Sequence, residues 1–157
     1  MKIIIVTGKG KGVTKIAAFD KALLDAGINN YNLIYLSSII PPHSEIVQSK
    51  KYIGGREHFG NKLYVVISKN FQIFRDRECW AGLGWTQTKD GKGLFVEHCD
   101  KTNENVICQI KQSLHDMVKN RKESFGKIHY CTSGVRCNNL PVCALTVAIY
   151  QEESWDK

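Results

Sequence analysis

Two stretches with helical spacing, set among short strand-like segments, are the feature that most constrains the fold of this chain. In the first stretch, apolar side chains recur at helical intervals, at Ile16, Phe19, Leu23 and Ala26. Gly27 follows at the position of a left-handed C-terminal cap, so the spacing predicts a helix from about Thr14 to Ala26.

A second helix is predicted in the other half of the chain, where Thr102 or Asn103 can cap the first turn. Its apolar stripe is Ile107, Ile110, Leu114, Met117 and Val118. Lys111, His115 and Lys119 fall outside this stripe, and we expect them in water.

Runs rich in aromatic and β-branched residues predict the strands. They are 1–7, 31–36, 62–68, 72–75, 79–85, 93–98, 127–132 and 142–150. No linker or repeat divides the 157 residues, so we expect one domain over residues 1–157. Two helices on a mostly antiparallel set of strands predict the α+β class, arranged as a layered sandwich.

The chain carries 22 basic and 15 acidic residues, a formal charge of +7. The basic residues are scattered and form no stripe with interleaved aromatic residues, which argues against a nucleic-acid-binding module. No stretch is long and apolar enough to cross a bilayer or to form the core of a signal peptide. We therefore expect neither nucleic acid nor a membrane as a partner.

Six cysteines without a secretory signal predict reduced thiols in the cytoplasm rather than a disulfide framework. None forms a CxxC pair, and the five-residue gaps between Cys131, Cys137 and Cys143 are not a zinc-site spacing. The histidines are dispersed along the chain. No metal site is predicted.

The glycine-rich segment from Gly8 to Gly12 could suggest a phosphate-binding loop. However, the segment lacks the Gly-Lys-Ser/Thr triplet of a P-loop. The better interpretation is a flexible turn between the first strand and the first helix.

Three polar residues interrupt otherwise apolar segments. Asp20 lies one turn from both Ile16 and Leu24, on the expected inner side of the first helix. A carboxylate there needs a partner, either a structural one or the cationic group of a ligand. Asn32 and Glu97 interrupt strand candidates, where the alternation of side chains could place either of them in solvent. A carboxyl group held partly out of water could act as a general acid.

The segment Ser37-Ser38-Ile39-Ile40-Pro41-Pro42 places two hydroxyl residues at a strand end, before two prolines that prevent regular strand pairing. A capped turn would explain it only weakly. Together with the run from Ala18 to Ile28 and the tripeptide Asn32-Leu33-Ile34, it resembles the N-terminal core of the pyruvoyl-dependent arginine decarboxylases. The similarity is nearly unbroken from Gly8 to Val47.

The resemblance implies a proenzyme that cuts itself between Ser37 and Ser38. Ser38 Oγ would attack the Ser37 carbonyl carbon to form an ester, and β-elimination would release the Ser37 carboxylate. The dehydroalanine left at position 38 would hydrolyse to a pyruvoyl group and ammonia. The products would be a β chain of residues 1–37 and an α chain of residues 38–157, with the covalent pyruvoyl group as the cofactor.

The same resemblance implies the active-site residues. The catalytic residues would be Ser38, Glu97 and Asn32. Glu97 would protonate the substrate carbon after carbon dioxide leaves, and Asn32 would donate to the oxyanion of the acyl shift. The carboxylate of Asp20, with Ile16 and Tyr31 beside it, would bind the guanidinium group of the substrate.

The family also implies an αββα sandwich, trimers or hexamers of the processed unit, and active sites at subunit interfaces. The substrate α-amine would form a Schiff base with the pyruvoyl ketone. L-Arginine, converted to agmatine and carbon dioxide, is the first choice of substrate. Asp20 would also suit lysine, ornithine or a protonated histidine, and a non-processing homologue that acts as a binding or regulatory subunit is a further alternative.

The chain departs from the family pattern after Val47. The segment from Gln48 to His58 replaces one that contains proline and glycine and that helps line the substrate pocket in the family. Asp76-Arg77-Glu78 replaces a Pro-Gly-Glu turn, and the bulkier residues Cys79, Trp80 and Trp85 follow it. We therefore expect a changed pocket or a bulkier core.

Overall fold

The computed structural model describes residues 1–55 and 58–155 as two β-sheets packed face to face, with a helix on the outer side of each sheet. The strands in these residues are β1 (Lys2–Lys11), β2 (Asn32–Tyr35), β3 (Ile39–Ile40), β4 (Glu45–Gln48), β5 (Lys62–Gln72), β6 (Glu78–Gln87), β7 (Gly93–Asp100), β8 (His129–Arg136) and β9 (Val142–Glu153). The helices are α1 (Lys15–Ala26) and α2 (Asn103–Lys119). The predicted α+β class and the αββα sandwich are confirmed.

The first sheet has the strand order β2-β5-β9-β1-β4, and the second has the order β3-β7-β6-β8. Pairing is antiparallel except at the two edges of the first sheet, where β4 runs parallel to β1 and β2 runs parallel to β5. The prediction of mostly antiparallel sheets is therefore confirmed. Because β2 belongs to the first sheet and β3 to the second, the Ser37-Ser38 segment connects the two sheets.

Apolar side chains fill the space between the sheets: Ile3, Ile5, Ile40, Val66, Leu83, Trp85, Phe95 and Ala148. Burial of a large apolar side chain stabilises the fold by about 1.5–3 kcal/mol. On the outer face of the second sheet, α2 buries Val106, Ile110 and Leu114, and it leaves Lys111 and His115 exposed as predicted. No helix in residues 1–55 and 58–155 is both long and apolar enough to cross a membrane.

Helix α1 packs on the first sheet mainly through alanine side chains rather than its largest apolar ones. Its buried residues are Ala18, Ala22, Leu23 and Ala26, whereas the side chain of Ile16 is 81% exposed. Glycines on β1 permit this close approach, because a Cβ atom on Gly8 or on Gly10 would lie only 2.1 Å from a carbonyl oxygen of the helix. The residues closest to the sheet are therefore small on both elements.

Two local predictions are wrong. Gly8 to Lys11 form the end of β1 and pair with β9, so most of the glycine-rich segment is strand rather than a flexible turn. The predicted strand over residues 72–75 does not form, because β5 ends at Gln72 and the chain then turns through Asp76, whose φ is 61°. The short strands β3 and β4, on either side of the two prolines, were not predicted from the sequence.

Candidate active site

The pairing of β3 with β7 brings Ser38 and Glu97 together. Ile39 lies opposite Leu94 in this antiparallel pair, and the backbone N–H of Phe95 donates to the carbonyl oxygen of Ser38, with an N···O distance of 2.8 Å. Side chains two residues apart on a strand share a face, so Glu97 lies on the same side of β7 as Phe95. Ser38 Oγ donates to Glu97 Oε1 at 2.7 Å. Ser38 therefore has both its side-chain hydroxyl and its backbone carbonyl group in defined hydrogen bonds.

The backbone of Ser38 adopts a φ of 44°, in the left-handed region. This conformation costs a residue with a side chain about 1–2 kcal/mol. Hydrogen bonds hold the chain at this point, to the carbonyl oxygen of Ser38 and to that of Ile39. The strained residue coincides with the predicted cleavage site.

Tyr150, which the sequence analysis did not single out, lies beside this segment. Its hydroxyl donates to the carbonyl oxygen of Ile39 at 3.0 Å, and its ring meets the ring of Phe95 edge-on, with centroids 6.2 Å apart. Burial raises the pKa of Tyr150, and the negative charge of Glu97 raises it further. The available sequence signal was a tyrosine at the last position of the predicted strand 142–150.

Asn32 does not contact Ser37 or Ser38 within the described part of the chain. It begins β2, whereas Ser37 follows the end of that strand, about 10 Å or more further along an extended backbone. Its Nδ2 atom donates to the carbonyl oxygen of Gly60 at 2.6 Å. In one copy of the chain, Asn32 is therefore separate from the Ser38–Glu97 pair.

Asp20 is exposed on α1, so its predicted position on the inner side of the helix is wrong. The alanine face turns towards the sheet, which places Asp20 and Ile16 on the solvent side. Among residues 1–55 and 58–155, neither a buried salt bridge nor a capping contact of Asp20 is present. Both side chains are available to a ligand or to another copy of the chain.

Tyr31 is buried, and its hydroxyl donates to Glu152 Oε2 at 3.1 Å. The same carboxylate accepts hydrogen bonds from Tyr52 and Asn61, at 3.2 and 2.9 Å. Burial and the charge of Glu152 raise the pKa of Tyr52 to about 12. Desolvation opposes ionisation of Glu152, but the hydrogen bonds outweigh it and lower the pKa of this carboxyl group. Tyr31 thus belongs to a network around Glu152 and makes no hydrogen bond to Ser38 in the part of the chain described.

The segment from Gln48 to His58 departs from the family pattern, and residues 56 and 57 within it lie outside the described residues. Tyr52 connects this segment to the Glu152 network. The ring of His58 stacks on the ring of Tyr31, with centroids 5.2 Å apart. Tyr52 and His58 therefore connect the described part of the segment to the first sheet, through contacts with Glu152 and Tyr31.

Of the bulkier residues that follow the altered turn, Cys79 and Trp85 are buried in the core, whereas Trp80 is half-buried. Trp85 is buried between the sheets, 6.1 Å from Phe95 between ring centroids, and Cys79 is also buried. Trp80 Nε1 donates to Glu78 Oε2 at 3.0 Å. Cys79 and Trp85 therefore add bulk to the core, and a changed pocket stays a prediction.

The cysteines form no disulfide bond in the described part of the chain. All six are free thiols, and Cys79, Cys137 and Cys143 are buried. Across residues 1–55 and 58–155, no group of three or more histidine, cysteine, aspartate or glutamate side chains is arranged to hold a metal ion.

Comparisons with known proteins identify similar sequences in one family. The family model described as pyruvoyl-dependent arginine decarboxylase matches residues 2–154. A protein of Halobacterium salinarum named pyruvoyl-dependent arginine decarboxylase is 38% identical over 108 residues, which cover 68% of this chain and 65% of that protein. A protein of Archaeoglobus fulgidus named pyruvoyl-dependent arginine decarboxylase 2 is 28% identical over 120 residues, 75% of this chain and 76% of the relative. The chain thus spans somewhat under two thirds of the length of the Halobacterium relative.

Proposed function

The chain belongs to the pyruvoyl-dependent arginine decarboxylase family, and on that premise we propose that it is a self-processing enzyme that converts L-arginine to agmatine and carbon dioxide. The observation that carries the proposal is the 2.7 Å hydrogen bond from Ser38 Oγ to Glu97 Oε1. It joins the nucleophile required for cleavage to an acid–base group at the predicted cleavage site.

Self-cleavage begins when Ser38 Oγ attacks the carbonyl carbon of Ser37. Glu97 accepts the hydrogen bond of this hydroxyl and fixes the position of its oxygen. The new C–O bond forms an ester, the C–N bond breaks, and the amino group of residue 38 takes up a proton. Removal of the α-proton of residue 38 then breaks the ester C–O bond and releases the Ser37 carboxylate.

The remaining dehydroalanine adds water and loses ammonia, so that residue 38 becomes a pyruvoyl group. The products are residues 1–37 and residues 38–157, which we propose remain together in one domain. The surroundings fit this group, because the carbonyl oxygen of residue 38 stays with the α chain and already accepts a hydrogen bond from Phe95 N–H at 2.8 Å.

A pyruvoyl group supplies a ketone that condenses with an amine and an adjacent amide carbonyl that accepts electron density as carbon dioxide leaves. The N–H of Phe95 would stabilise negative charge that develops on the carbonyl oxygen of residue 38. Once cleavage has consumed the Ser38 hydroxyl, the carboxyl group of Glu97 is available to deliver a proton to the substrate carbon.

We further propose that Asp20 and Asn32 reach this centre from a neighbouring copy, in a trimer or hexamer. Both residues are exposed and lie apart from Ser38 in one chain. Apolar side chains are exposed on the same two elements, Ile16 on α1 and Ile34 and Tyr35 on β2, and Ile39 is exposed on β3 next to Ser38. Exposed apolar surface of this kind is typical of an interface between proteins. A carboxylate from Asp20 at that interface would bind the guanidinium group of arginine.

The intact mass of the purified protein under denaturing conditions tests self-cleavage. We expect two fragments, one of them ending at Ser37, and a single full-length chain would contradict the proposal and favour a non-processing binding subunit. Release of carbon dioxide from a panel of amino acids then tests the substrate. We expect arginine to exceed lysine, ornithine and histidine, and background release from arginine would overturn the substrate assignment. A cytoplasmic location stays a prediction, which the six free thiols support.

A further inference from the structure

We propose that Tyr150 is a positioning residue for self-cleavage, because it fixes the backbone on the C-terminal side of the cleaved peptide. The inference rests on the proposed function and adds a residue outside the catalytic set derived above. Among the described residues, the hydroxyl of Tyr150 donates to Ile39 rather than to Ser37, Ser38 or Glu97. It acts through Ile39 and Phe95, the two residues that hold Ser38.

The first contact is the hydrogen bond from the hydroxyl of Tyr150 to the carbonyl oxygen of Ile39, at 3.0 Å. Tyr150 lies on β9 of the first sheet, and Ile39 lies on β3 at the edge of the second sheet. An edge strand leaves one row of its backbone groups without strand partners. Tyr150 supplies the hydrogen-bond donor for the carbonyl oxygen of Ile39, one residue beyond Ser38. This hydrogen bond connects the first sheet to the second sheet beside the cleavage site.

The second contact is the edge-on packing of the Tyr150 ring against the Phe95 ring, with an interplanar angle of 63°. The backbone N–H of Phe95 holds the carbonyl oxygen of Ser38 at 2.8 Å. Two successive carbonyl groups, those of Ser38 and Ile39, are therefore held by residues that pack on each other. This pair of anchors maintains the left-handed φ of 44° at Ser38.

The surroundings of the Tyr150 hydroxyl also keep it protonated, so that it remains a hydrogen-bond donor. Burial opposes ionisation of Tyr150, and the neighbouring Glu97 carboxylate adds to that effect. The phenol therefore remains protonated, and the hydrogen bond to Ile39 persists, throughout the neutral range.

The experiment compares the cleavage rates of the wild type, Tyr150→Phe and Tyr64→Phe after synthesis in a cell-free system, on denaturing gels and by intact mass. Tyr64 is the matched control, since it lines the same cavity as Tyr150 but its hydroxyl donates to the side chain of Glu153 at 2.7 Å rather than to the backbone of β3. We expect Tyr150→Phe to cleave about tenfold more slowly, as loss of one positioning hydrogen bond implies. Tyr64→Phe should cleave at the wild-type rate.

Thermal unfolding of the same samples separates positioning from general stability. If both variants lose similar stability but only Tyr150→Phe cleaves slowly, the inference holds. If Tyr150→Phe cleaves at the wild-type rate, it is overturned while self-cleavage stands. A wild type that does not cleave would instead refute the proposed function on which the inference rests.

Should Tyr150→Phe fail to fold, 2,3,5-trifluorotyrosine at position 150 keeps the shape of the ring and lowers the phenol pKa. Cleavage by this protein should slow as pH rises through the lower pKa, whereas the wild type should not slow over that range. The titratable groups around Tyr150 include Glu97, and also Met1, Tyr64 and Glu153, which line the same cavity. They are common to both proteins and so cannot cause the difference. Identical pH profiles would overturn the inference.

Discussion

Ser38 and Glu97 are joined by a 2.7 Å hydrogen bond although 59 positions separate them in the chain. The register of β3 against β7 produces this contact, with Ile39 opposite Leu94 and Ile40 opposite Gly93. A shift of β3 by one residue would turn its side chains, and that of the adjoining Ser38, to the face of the second sheet opposite Glu97. The pairing of a two-residue strand thus determines whether the hydroxyl has an acid–base partner.

Replacement of Ser38 by alanine should abolish cleavage, because alanine has no oxygen to attack the Ser37 carbonyl carbon. Intact mass should show a single full-length chain. Ser37→Ala is the matched control: Ser37 contributes only its backbone carbonyl to the reaction, so this variant should still yield two fragments. Fragments from Ser38→Ala would disprove the assignment of the cofactor to this residue.

Glu97→Gln should separate processing from turnover. Glutamine can still accept the hydrogen bond of Ser38 Oγ, so we expect two fragments, but it cannot deliver a proton to the substrate carbon. Carbon dioxide release should fall by about 10²–10⁴-fold, the usual contribution of a general acid. Glu104→Gln, on the exposed first turn of α2, should leave both reactions unchanged. Full turnover by Glu97→Gln would remove Glu97 from the catalytic set.

Much of the fold could be predicted because local signals agree with it. Thr14 and Gly27 mark the ends of α1 as predicted, and the longer strands follow runs of β-branched and aromatic residues. The orientation of α1 could not be predicted in this way, because larger apolar side chains such as Ile16 suggested the wrong inner face. The helix turns small alanines towards glycines of β1, and that complementarity is visible only when both elements are placed.

The candidate site could be predicted only in part. The family resemblance indicated Ser38 and Glu97, which the fold brings together. Neither the hydrogen bond of Tyr150 to Ile39 nor the position of Phe95 N–H could be inferred, because both depend on how the two sheets meet. Tyr31 donates to Glu152, which lies 121 positions away and carries no local signal, and its place in the substrate site stays a prediction.

Gly10→Ala should destabilise the protein by pushing α1 away from β1. The added methyl group would lie 2.1 Å from the carbonyl oxygen of Ala18 and 2.4 Å from the amide nitrogen of Ala22. Forcing extra volume into a packed contact costs about 1–3 kcal/mol, measurable by urea denaturation. At Gly55 the nearest atom would be 3.9 Å away, so Gly55→Ala should change the unfolding free energy little. Equal stability of the two variants would contradict the tight contact between helix and strand.

Glu152→Gln should lower thermal stability in a pH-dependent way. Hydrogen bonds from Asn61, Tyr31 and Tyr52 lower the pKa of Glu152 in the folded state, against the effect of desolvation. A carboxyl group with a lowered folded pKa stabilises the fold above its unfolded pKa, and this contribution is lost as pH falls through the folded value. At pH 7 the melting temperature should drop by roughly 2–4 °C, and the difference should vanish in acid. Glu45→Gln, an exposed carboxylate of β4, should show no such trend, and a pH-independent loss for Glu152→Gln would refute the charged network.

Intersubunit complementation tests whether Asp20 reaches Ser38 from a neighbouring copy. The Asp20→Asn chain keeps Ser38 and Glu97 intact, and the Glu97→Gln chain keeps Asp20 intact. In a mixed ring, an interface between one chain of each kind can therefore contain a complete site. If the two chains associate at random in equal amounts, about a quarter of the interfaces in a closed ring should be complete. Arginine decarboxylation should recover to about that fraction of the wild-type activity.

Mixing Glu97→Gln with Ser38→Ala provides the control, because both substitutions affect the same half of the site and no interface can be complete. Recovery of activity in the mixture of Asp20→Asn and Glu97→Gln, but not in the control, requires a site shared between two chains. No recovery in either mixture would mean that Asp20 and Ser38 act within one chain or that Asp20 is not part of the site.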